Sequence, residues 1–202
     1  MNADITATPL LEKVKSIFNE SIQIQIATDQ ELSVSLVSAA QKMVTCLLSG
    51  NKIMVCGQGR AYANGQFLVA NLLHRYHLER PSLPAVLLGL DGAVGSAIFA
   101  DHNPAQLFTR QLESLAQTGD MLVILAPFSI DESILNLIHT ANSREIPIIA
   151  LTGRQNDHLH GALGEYDLDL AIPAQKEARI LENHLLVINI LCELIEHQLF
   201  SH

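Results

Sequence analysis

Two glycines directly after an apolar run form the first stretch of this sequence that could do chemistry. Ile53–Cys56 has the pattern of a buried strand, Gly57–Gly59 that of a tight turn, and helical spacing follows from Arg60 onward. A strand, a glycine loop and a helix in this order direct backbone N–H groups at an anion, usually a phosphate. Tyr62 stands where a dinucleotide fingerprint has its third glycine, and no phosphate-loop lysine is present. The stretch therefore indicates either a phosphate-type site or a plain structural turn.

Cysteines and histidines supply no recognisable metal site. Cys46, Cys56 and Cys192 lack metal-ligand spacing and fit buried thiols in a reducing compartment. No histidine has the i, i+4 partner of a zinc-protease helix. The segment 157–160 contains two histidines, but loop histidines are usually solvated. We therefore predict no metal ion and no cofactor.

Composition excludes several classes of function. The chain has 202 residues and a net charge of −9, which argues against direct nucleic-acid binding because phosphate backbones require Lys and Arg. An acidic protein could still bind a basic partner. The 49% of hydrophobic residues predicts subunit interfaces as well as a core. No uncharged apolar run reaches 18 residues, and no basic cluster precedes an apolar stretch at the N-terminus. We expect a cytoplasmic protein that does not contact a membrane.

Short apolar runs alternate with helical patterns along most of the chain. Strands are predicted at 53–56, 85–88, 121–125, 147–151 and 167–172, and helices at 61–75, 93–99, 104–117 and 130–142, with a turn near 158–163. The strand runs do not alternate strictly, which is typical of parallel strands buried on both faces. The pattern predicts a doubly wound, three-layer α/β/α fold whose ligands bind at the carboxyl ends of the strands. The loops at 57–62, 89–94, 126–133 and 152–157 are therefore the candidate site.

Helices are also predicted before and after this alternation. Two of them, 9–27 and 32–48, have wide apolar faces, and Gly50 ends the second. The last helix, 175–200, is apolar on several faces, so we expect it in an oligomer core. No linker or repeat interrupts 1–202, which we predict to be one domain with a helical arm (9–50), an α/β core (51–173) and the C-terminal helix.

Several short motifs follow one another between about residue 15 and residue 200. They are Cys56–Gly59, Asn64, Arg75–Tyr76, Glu79–Ala85, Gly119–Asp120, Ala150–Gly153, Ile172–Pro173, and Ala178–Ile180 with Glu182 and His184. In this order and spacing they resemble the sugar-isomerase (SIS) domain family, in the branch of phosphoheptose isomerase and the DnaA initiator-associating protein DiaA. The end of the chain, Leu199-Phe200, is also similar to the end of DiaA. The resemblance implies a five-stranded parallel sheet flanked by helices, and a homotetramer.

The catalytic positions implied by the resemblance are changed in this chain. In the isomerase, a histidine and a glutamate follow the first loop, and a glutamine and a histidine lie on the last helix. The matching positions here are Phe67, Asn71, Leu181 and Asn189. Isomerisation needs a group that removes a proton next to a carbonyl, worth about 10²–10⁴-fold in rate. None of the four can do so, and DiaA is similar in having asparagine at the Asn189 position. We therefore predict no catalytic residue.

Both phosphate loops implied by the resemblance are changed as well. Ala61 replaces the serine of the first loop, and in the second loop Ala126, Pro127 and Asp131 replace hydroxyl residues. Hydroxyls donate to phosphate, whereas a carboxylate 4 Å away repels it by about 4 kcal/mol at an effective dielectric constant of 20. What remains is predicted to be a degenerate phosphosugar pocket, lined by Gly57, Gln58, Gly59, Arg60, Asn64, Asp101, Ser129 and Asp131.

Five side chains near the predicted pocket invite specific expectations. Arg60 is expected to reach into the former phosphate position and pair with Asp131, unless both face solvent. Ser129 or Ser133 is expected to cap the helix that starts near residue 130. His184, at an apolar helix position, is expected to be a satisfied interface histidine rather than a catalyst.

Three functions remain open at this point. The first is a tetrameric scaffold that binds the initiator DnaA and helps it assemble at the origin, with Leu199 and Phe200 in the contact surface; these two residues could also dock on their own protein. The second is isomerisation of sedoheptulose 7-phosphate to D-glycero-D-manno-heptose 7-phosphate. The third is a sugar-phosphate sensor with a rebuilt pocket. The absence of an acid–base pair favours the scaffold.

Overall fold

Parallel strands separated by helices make up the fold. The computed structural model describes residues 4–89, 92–101, 103–128 and 130–201. The strands are β1 (Ile53–Gly57), β2 (Ala85–Leu87), β3 (Met121–Ala126), β4 (Ile148–Gly153) and β5 (Leu168–Ile172). The helices are α1 (Asp4–Leu48), α2 (Ala61–Leu73), α3 (Gly92–Ala100), α4 (Leu107–Leu115), α5 (Glu132–Ser143), α6 (Asp157–His160) and α7 (Glu177–Phe200), with a 3₁₀ turn at Pro104–Gln106 before α4.

The strands form one sheet with the order β2-β1-β3-β4-β5, and every neighbouring pair is parallel. This confirms the predicted five-stranded parallel sheet. The order reverses beside β1, where β2 lies on one side and β3 on the other. Gly57 stands opposite Leu125, so β1 and β3 end level with each other. Such a reversal point is where ligands bind in open α/β sheets.

Helices cover both faces of the sheet, which confirms the three-layer prediction. Successive strand side chains point to opposite faces. In β1, Ile53 and Val55 join an apolar cluster that includes α1, α2 and α7, whereas Met54 and Cys56 join a second cluster that includes α4 and α5. Because both faces are covered, β1, β3 and β4 are buried along their whole lengths.

One continuous helix, α1, replaces the two helices predicted before the first strand. It runs for 45 residues through the segment 28–31, where the sequence analysis placed a break. This segment is polar but contains no glycine or proline. Its side chains bond either within the helix or to a residue outside it. Thr28 donates to the carbonyl of Ile24, and Glu31 pairs with Arg154 at 2.6 Å. The prediction of two helices was therefore wrong, while Gly50 does follow the helix end, at φ +80°.

The two halves of α1 have different surroundings. In the C-terminal half, Leu32, Leu36 and Met43 are buried in the same cluster as Ile188 and Leu191 of α7. In the N-terminal half, apolar side chains continue at helical spacing but are exposed: Leu10, Val14, Ile17, Phe18, Ile22 and Ile26. The helix thus carries an apolar face that the chain's own α7 covers only in part.

By length and composition alone, α1 could cross a membrane. The stretch Thr8–Leu48 contains an apolar segment of 18 residues with no more than two charged residues, and 44% of that segment is buried inside the protein. The core helix of a globular protein has the same properties. Because α1 packs on α7 and β5, we interpret it as a core helix.

Candidate functional site

A cleft of about 310 Å³ opens at the carboxyl ends of β1 and β3. Its walls come from the loop after β1, from α3 and α4, and from the start of α5. The lining residues are Gly57, Gln58, Gly59, Phe99, Pro104, Ala105, Leu107, Phe108, Asp131, Glu132 and Ser133. The cleft therefore lies where the predicted fold requires a ligand site.

The first loop is shaped by its glycines. A Cβ atom on Gly57 would lie 2.6 Å from the backbone of Tyr62, so only glycine allows α2 to begin so close to the strand. Gly59 has φ +55°, a conformation that other residues rarely adopt, and a Cβ there would meet open space. The amide of Gln58 donates to the carbonyl of Leu125 and extends the β1–β3 pairing by one residue.

Two amide side chains, one buried and one partly buried, hold the neighbouring loops, and the sequence analysis missed both. Asn156 is 1% exposed and donates to the carbonyls of Ala126 and Phe128, which fixes the loop after β3. Gln111 of α4 makes two 3.0 Å hydrogen bonds with the backbone of Gly89, which fixes the loop after β2. Neither residue belongs to a recognisable motif, so only their position in the fold identifies them.

Four of the eight predicted pocket residues line this cleft: Gly57, Gln58, Gly59 and Asp131. Asn64 does not, because it is buried between helices and its Nδ2 donates to the carbonyl of Leu181, 3.0 Å away. Asp101 follows α3 and is exposed, outside the lining. Ser129 lies outside the described residues. Asn64 is therefore a tie between α2 and α7, which corrects the prediction.

The predicted pair between Arg60 and Asp131 does not form. Arg60 is 77% exposed at its side chain, and its Nη1 lies 2.6 Å from Oε2 of Glu177 in the first turn of α7. It therefore neither lines the cleft nor reaches the former phosphate position. The carboxylate of Asp131 is instead bonded within its own helix.

Asp131 is the N-cap residue of α5. Its Oδ1 accepts a 3.1 Å hydrogen bond from the amide of Ile134 and a 2.6 Å hydrogen bond from the hydroxyl of Ser133. Ser133 is thus a donor to the cap and not the cap itself, which corrects that expectation. A negative charge at a helix N-terminus is stabilised by the helix dipole. The end of α5 that could attract an anion therefore already holds a carboxylate.

The four positions that the family resemblance links to catalysis carry no acid or base. Phe67 is 54% exposed on α2, and Leu181 packs partly buried against the core. The side chain of Asn71 hydrogen-bonds the thiol of Cys192, whose pKa burial raises to about 12. Asn189 is half-buried on α7. Proton transfer next to a carbonyl has no candidate group among these side chains.

His184 lies in the interior of the chain instead of at a subunit surface. Its Nε2 is 3.0 Å from the carbonyl oxygen of Thr152, and its Nδ1 is buried without a partner among the described residues. Burial lowers the pKa of His184 to about 4, so the ring is neutral at neutral pH. The expectation of an interface histidine is therefore corrected to a core histidine that joins α7 to β4.

No group of three or more histidine, cysteine, aspartate or glutamate side chains that could hold a metal ion occurs within the described ranges. His160 does have a carboxylate neighbour, since its Nδ1 lies 2.9 Å from Oδ2 of Asp169. Asp169 also accepts a 2.6 Å hydrogen bond from the hydroxyl of Thr152. Burial raises the pKa of Asp169, and the hydrogen bond from Thr152 and the neighbouring His160 oppose that shift. This pair fixes α6 against the edge strand β5.

The C-terminal end of α7 is fixed by a buried ion pair. Glu196 accepts hydrogen bonds from the amides of Tyr76, His77 and Leu78, and from Nε of Arg80 at 2.7 Å. The guanidinium of Arg80 lies 5.9 Å from the ring centre of Phe200. Leu199 and Phe200 are both partly buried against the core. The last turn of α7 is thus docked on its own chain, with part of each apolar side chain left accessible.

Comparisons with known proteins agree with this architecture. The model of the family described as "SIS domain" matches residues 18–153. An uncharacterized protein of Haemophilus influenzae is 51% identical over 191 residues, which cover 95% of this chain and 98% of that protein. The DnaA initiator-associating protein DiaA of Yersinia pestis is 39% identical over 193 residues, covering 96% of this chain and 98% of the relative.

Solved structures point to the same family. A phosphoheptose isomerase from Francisella tularensis superimposes with a TM-score of 0.88 at 34% identity, covering 93% of this chain and 98% of the other. The phosphoheptose isomerase of Neisseria gonorrhoeae gives a TM-score of 0.86 at 32% identity with the same coverage. The named relative found by sequence is thus a DnaA initiator-associating protein, whereas these two solved structures are of enzymes.

Proposed function

The chain belongs to the SIS domain family, and from this premise we propose that it is a non-catalytic scaffold that binds the replication initiator DnaA. The DiaA proteins that support the proposal match it over nearly their whole length. In this role the chain acts as one SIS domain and promotes DnaA assembly at the origin. We place it in the cytoplasm, where an initiator acts.

The observation that carries the proposal is the loss of acid–base groups on α2 and α7. Phe67 and Leu181 cannot transfer protons, and the amides of Asn71 and Asn189 do not titrate in a useful range. A general acid–base pair is worth about 10²–10⁴-fold in rate, so its loss removes most of an isomerase's advantage. A scaffold needs no such pair.

Self-assembly is part of the proposal. The exposed apolar side chains of α1, among them Leu10, Phe18 and Ile22, would be covered by other copies of the chain. A homotetramer, as the resemblance implies, would present the same surface several times. Such repetition raises the effective concentration for a partner without tight individual contacts.

We propose that the end of α7 belongs to the DnaA contact surface. Leu199 and Phe200 are partly accessible there, next to a cavity of about 570 Å³ that Tyr76, His77 and His197 help to line. Phe200 also packs near Arg80, so its substitution could disturb the fold. Leu199 is therefore the safer residue to change.

The test is a titration of the purified protein with DnaA from the same organism, combined with an assay of sedoheptulose 7-phosphate turnover. We expect binding and no turnover. Leu199→Ala should weaken binding about tenfold, as truncation of a central interface residue does, whereas Leu115→Ala, 43% exposed on α4, should not. Thermal unfolding of both variants controls for folding. Absence of DnaA binding by the folded oligomer would refute the scaffold.

Phosphoheptose isomerisation is the second candidate, because the fold matches such enzymes at TM-scores of 0.88 and 0.86. It predicts turnover above background in the same sample. Turnover that survives Asn71→Ala and Asn189→Ala would locate the catalytic group elsewhere and would remove the main support of the scaffold. A sugar-phosphate sensor instead predicts binding of the sugar phosphate without turnover.

A further inference from the structure

The cleft at the ends of β1 and β3 has the volume of a ligand site but no basic side chain among its described lining residues. Small-molecule sites start at about 300 Å³, and this cleft is of that size. None of the lining residues described is Lys or Arg, and Arg60, the nearest candidate in the loop, pairs with Glu177 outside it.

The charged side chains among the described lining residues of this cleft are acidic. Asp131 and Glu132 both line it and are exposed at the start of α5. The amide of Ile134, which could donate to a bound anion, already donates to Asp131. Pro127 has no N–H to offer in the same loop. An incoming phosphate would meet two carboxylates at this edge of the cleft.

The remaining walls are apolar and partly aromatic. Phe108 is 3% exposed and Phe99 50% exposed. Pro104 lies in the turn before α4, and Leu107 is the first residue of α4. Aromatic faces attract Arg-type and ammonium cations in addition to apolar groups. The cleft therefore pairs an apolar, aromatic wall with a carboxylate rim.

We propose that this cleft binds a small organic cation, with its guanidinium or ammonium group at Asp131 and Glu132 and its apolar stem along Phe99 and Phe108. Charge complementarity selects the cation, and the aromatic wall selects a stem over a bare metal ion or ammonium. The site is independent of DnaA binding, which the proposed function places at the end of α7.

Agmatine, an alkyl amine with a guanidinium group, is the probe. Isothermal titration at low salt should give binding that weakens as NaCl is raised. Asp131→Asn combined with Glu132→Gln should weaken it about tenfold, since two exposed charge pairs with the ligand are lost. Asparagine is a good N-cap, so the double variant keeps α5 capped. Thermal unfolding checks that it remains folded.

A matched control removes two carboxylates elsewhere. Glu145→Gln combined with Glu165→Gln changes the net charge equally, and both residues line a separate cavity near Pro147. This variant should bind agmatine like the parent. An equal loss of agmatine affinity in both double variants, or no loss in either, would overturn the assignment to the cleft. The assignment would also be overturned if inorganic phosphate bound the parent and bound no more tightly to Asp131→Asn combined with Glu132→Gln.

A blocked tripeptide with a central arginine distinguishes the source of the cation. Weaker binding of the peptide than of agmatine supports a free small molecule, because the cleft then has no room for a peptide backbone. Tighter binding would overturn that source and assign the cleft to an arginine of a protein. The DnaA titration is run separately, so failure of either proposal leaves the other standing.

Discussion

Replacement of Glu196 is expected to loosen the end of α7 and to expose how much of the fold depends on one buried carboxylate. Glu196 is 2% exposed and accepts from three amides, at 2.9, 3.0 and 2.8 Å, and from Arg80 at 2.7 Å. Glu196→Ala would leave those amides and a guanidinium that is 1% exposed without their acceptor. Breaking a buried ion pair in this way costs about 3–5 kcal/mol.

Glu196→Gln should cost less, about 1.5–3 kcal/mol, because one oxygen remains to accept while the charge is lost. Urea unfolding followed by circular dichroism measures both variants. Glu193→Gln changes an exposed glutamate on the same helix and is the matched control. Its free energy of unfolding should stay within about 0.5 kcal/mol of that of the parent. A cost below about 1 kcal/mol for Glu196→Ala would refute the reasoning, since the network would then be replaceable by water.

The same carboxylate gives a pH dependence with a defined sign. Burial alone would raise the pKa of Glu196, but hydrogen bonds from Leu78, Tyr76, Arg80 and His77 outweigh it and lower the pKa below 4.5. A group with a lowered folded pKa stabilises the fold above its unfolded pKa, and this stabilisation is lost as the pH falls through the folded value. Stability should therefore fall below about pH 4.5, and less steeply in Glu196→Gln.

Three further predictions concern the interior and the site. Burial lowers the pKa of His184 to about 4, so the neutral ring favours the fold at pH 7. About 2 kcal/mol of unfolding free energy should be lost between pH 7 and pH 5, because the unfolded state gains protons there. Urea titrations at both pH values should show a smaller loss in His184→Gln, and an equal loss would contradict the assignment of His184 as a neutral core histidine. Asp131→Ala should cost about 1 kcal/mol through loss of the N-cap, while Asp131→Asn should be nearly neutral, both by thermal unfolding. Cys46, Cys56 and Cys192 are buried and burial raises each thiol pKa, so native protein should resist iodoacetamide at pH 7.5, and fast labelling observed by mass spectrometry would contradict this.

Much of the fold was predictable because its signals are local. The apolar runs at β1, β3 and β4 are buried on both faces, so they are continuous in the sequence and mark the strands directly. The loop Gly57–Gly59 was also recognisable from the sequence, since only glycine fits at position 57 and the positive φ at position 59 favours glycine. The single helix α1 was not predicted, because Thr28 and Glu31 resemble a break until their partners in Ile24 and Arg154 are known.

The candidate site was only half predictable, because its charged side chains pair with residues that are distant in the sequence. The sequence places Arg60 and Asp131 in two loops that meet, which suggested a pair. Whether they pair depends on a third residue, Glu177, which is 117 positions from Arg60 and is brought close only by the docking of α7. Likewise Asn64 lies in a site motif, yet its amide serves the carbonyl of Leu181.

By itself, the sequence determined which chemistry is missing: residue types alone show that Phe67, Asn71, Leu181 and Asn189 cannot carry out acid–base catalysis. Only the tertiary structure decided where charge lies in the cleft. A carboxylate repels or attracts a ligand according to what else it bonds, and that depends on neighbours far along the chain. Asp131 caps its helix and faces the cleft because α5 begins there, at the edge where β1 and β3 end together.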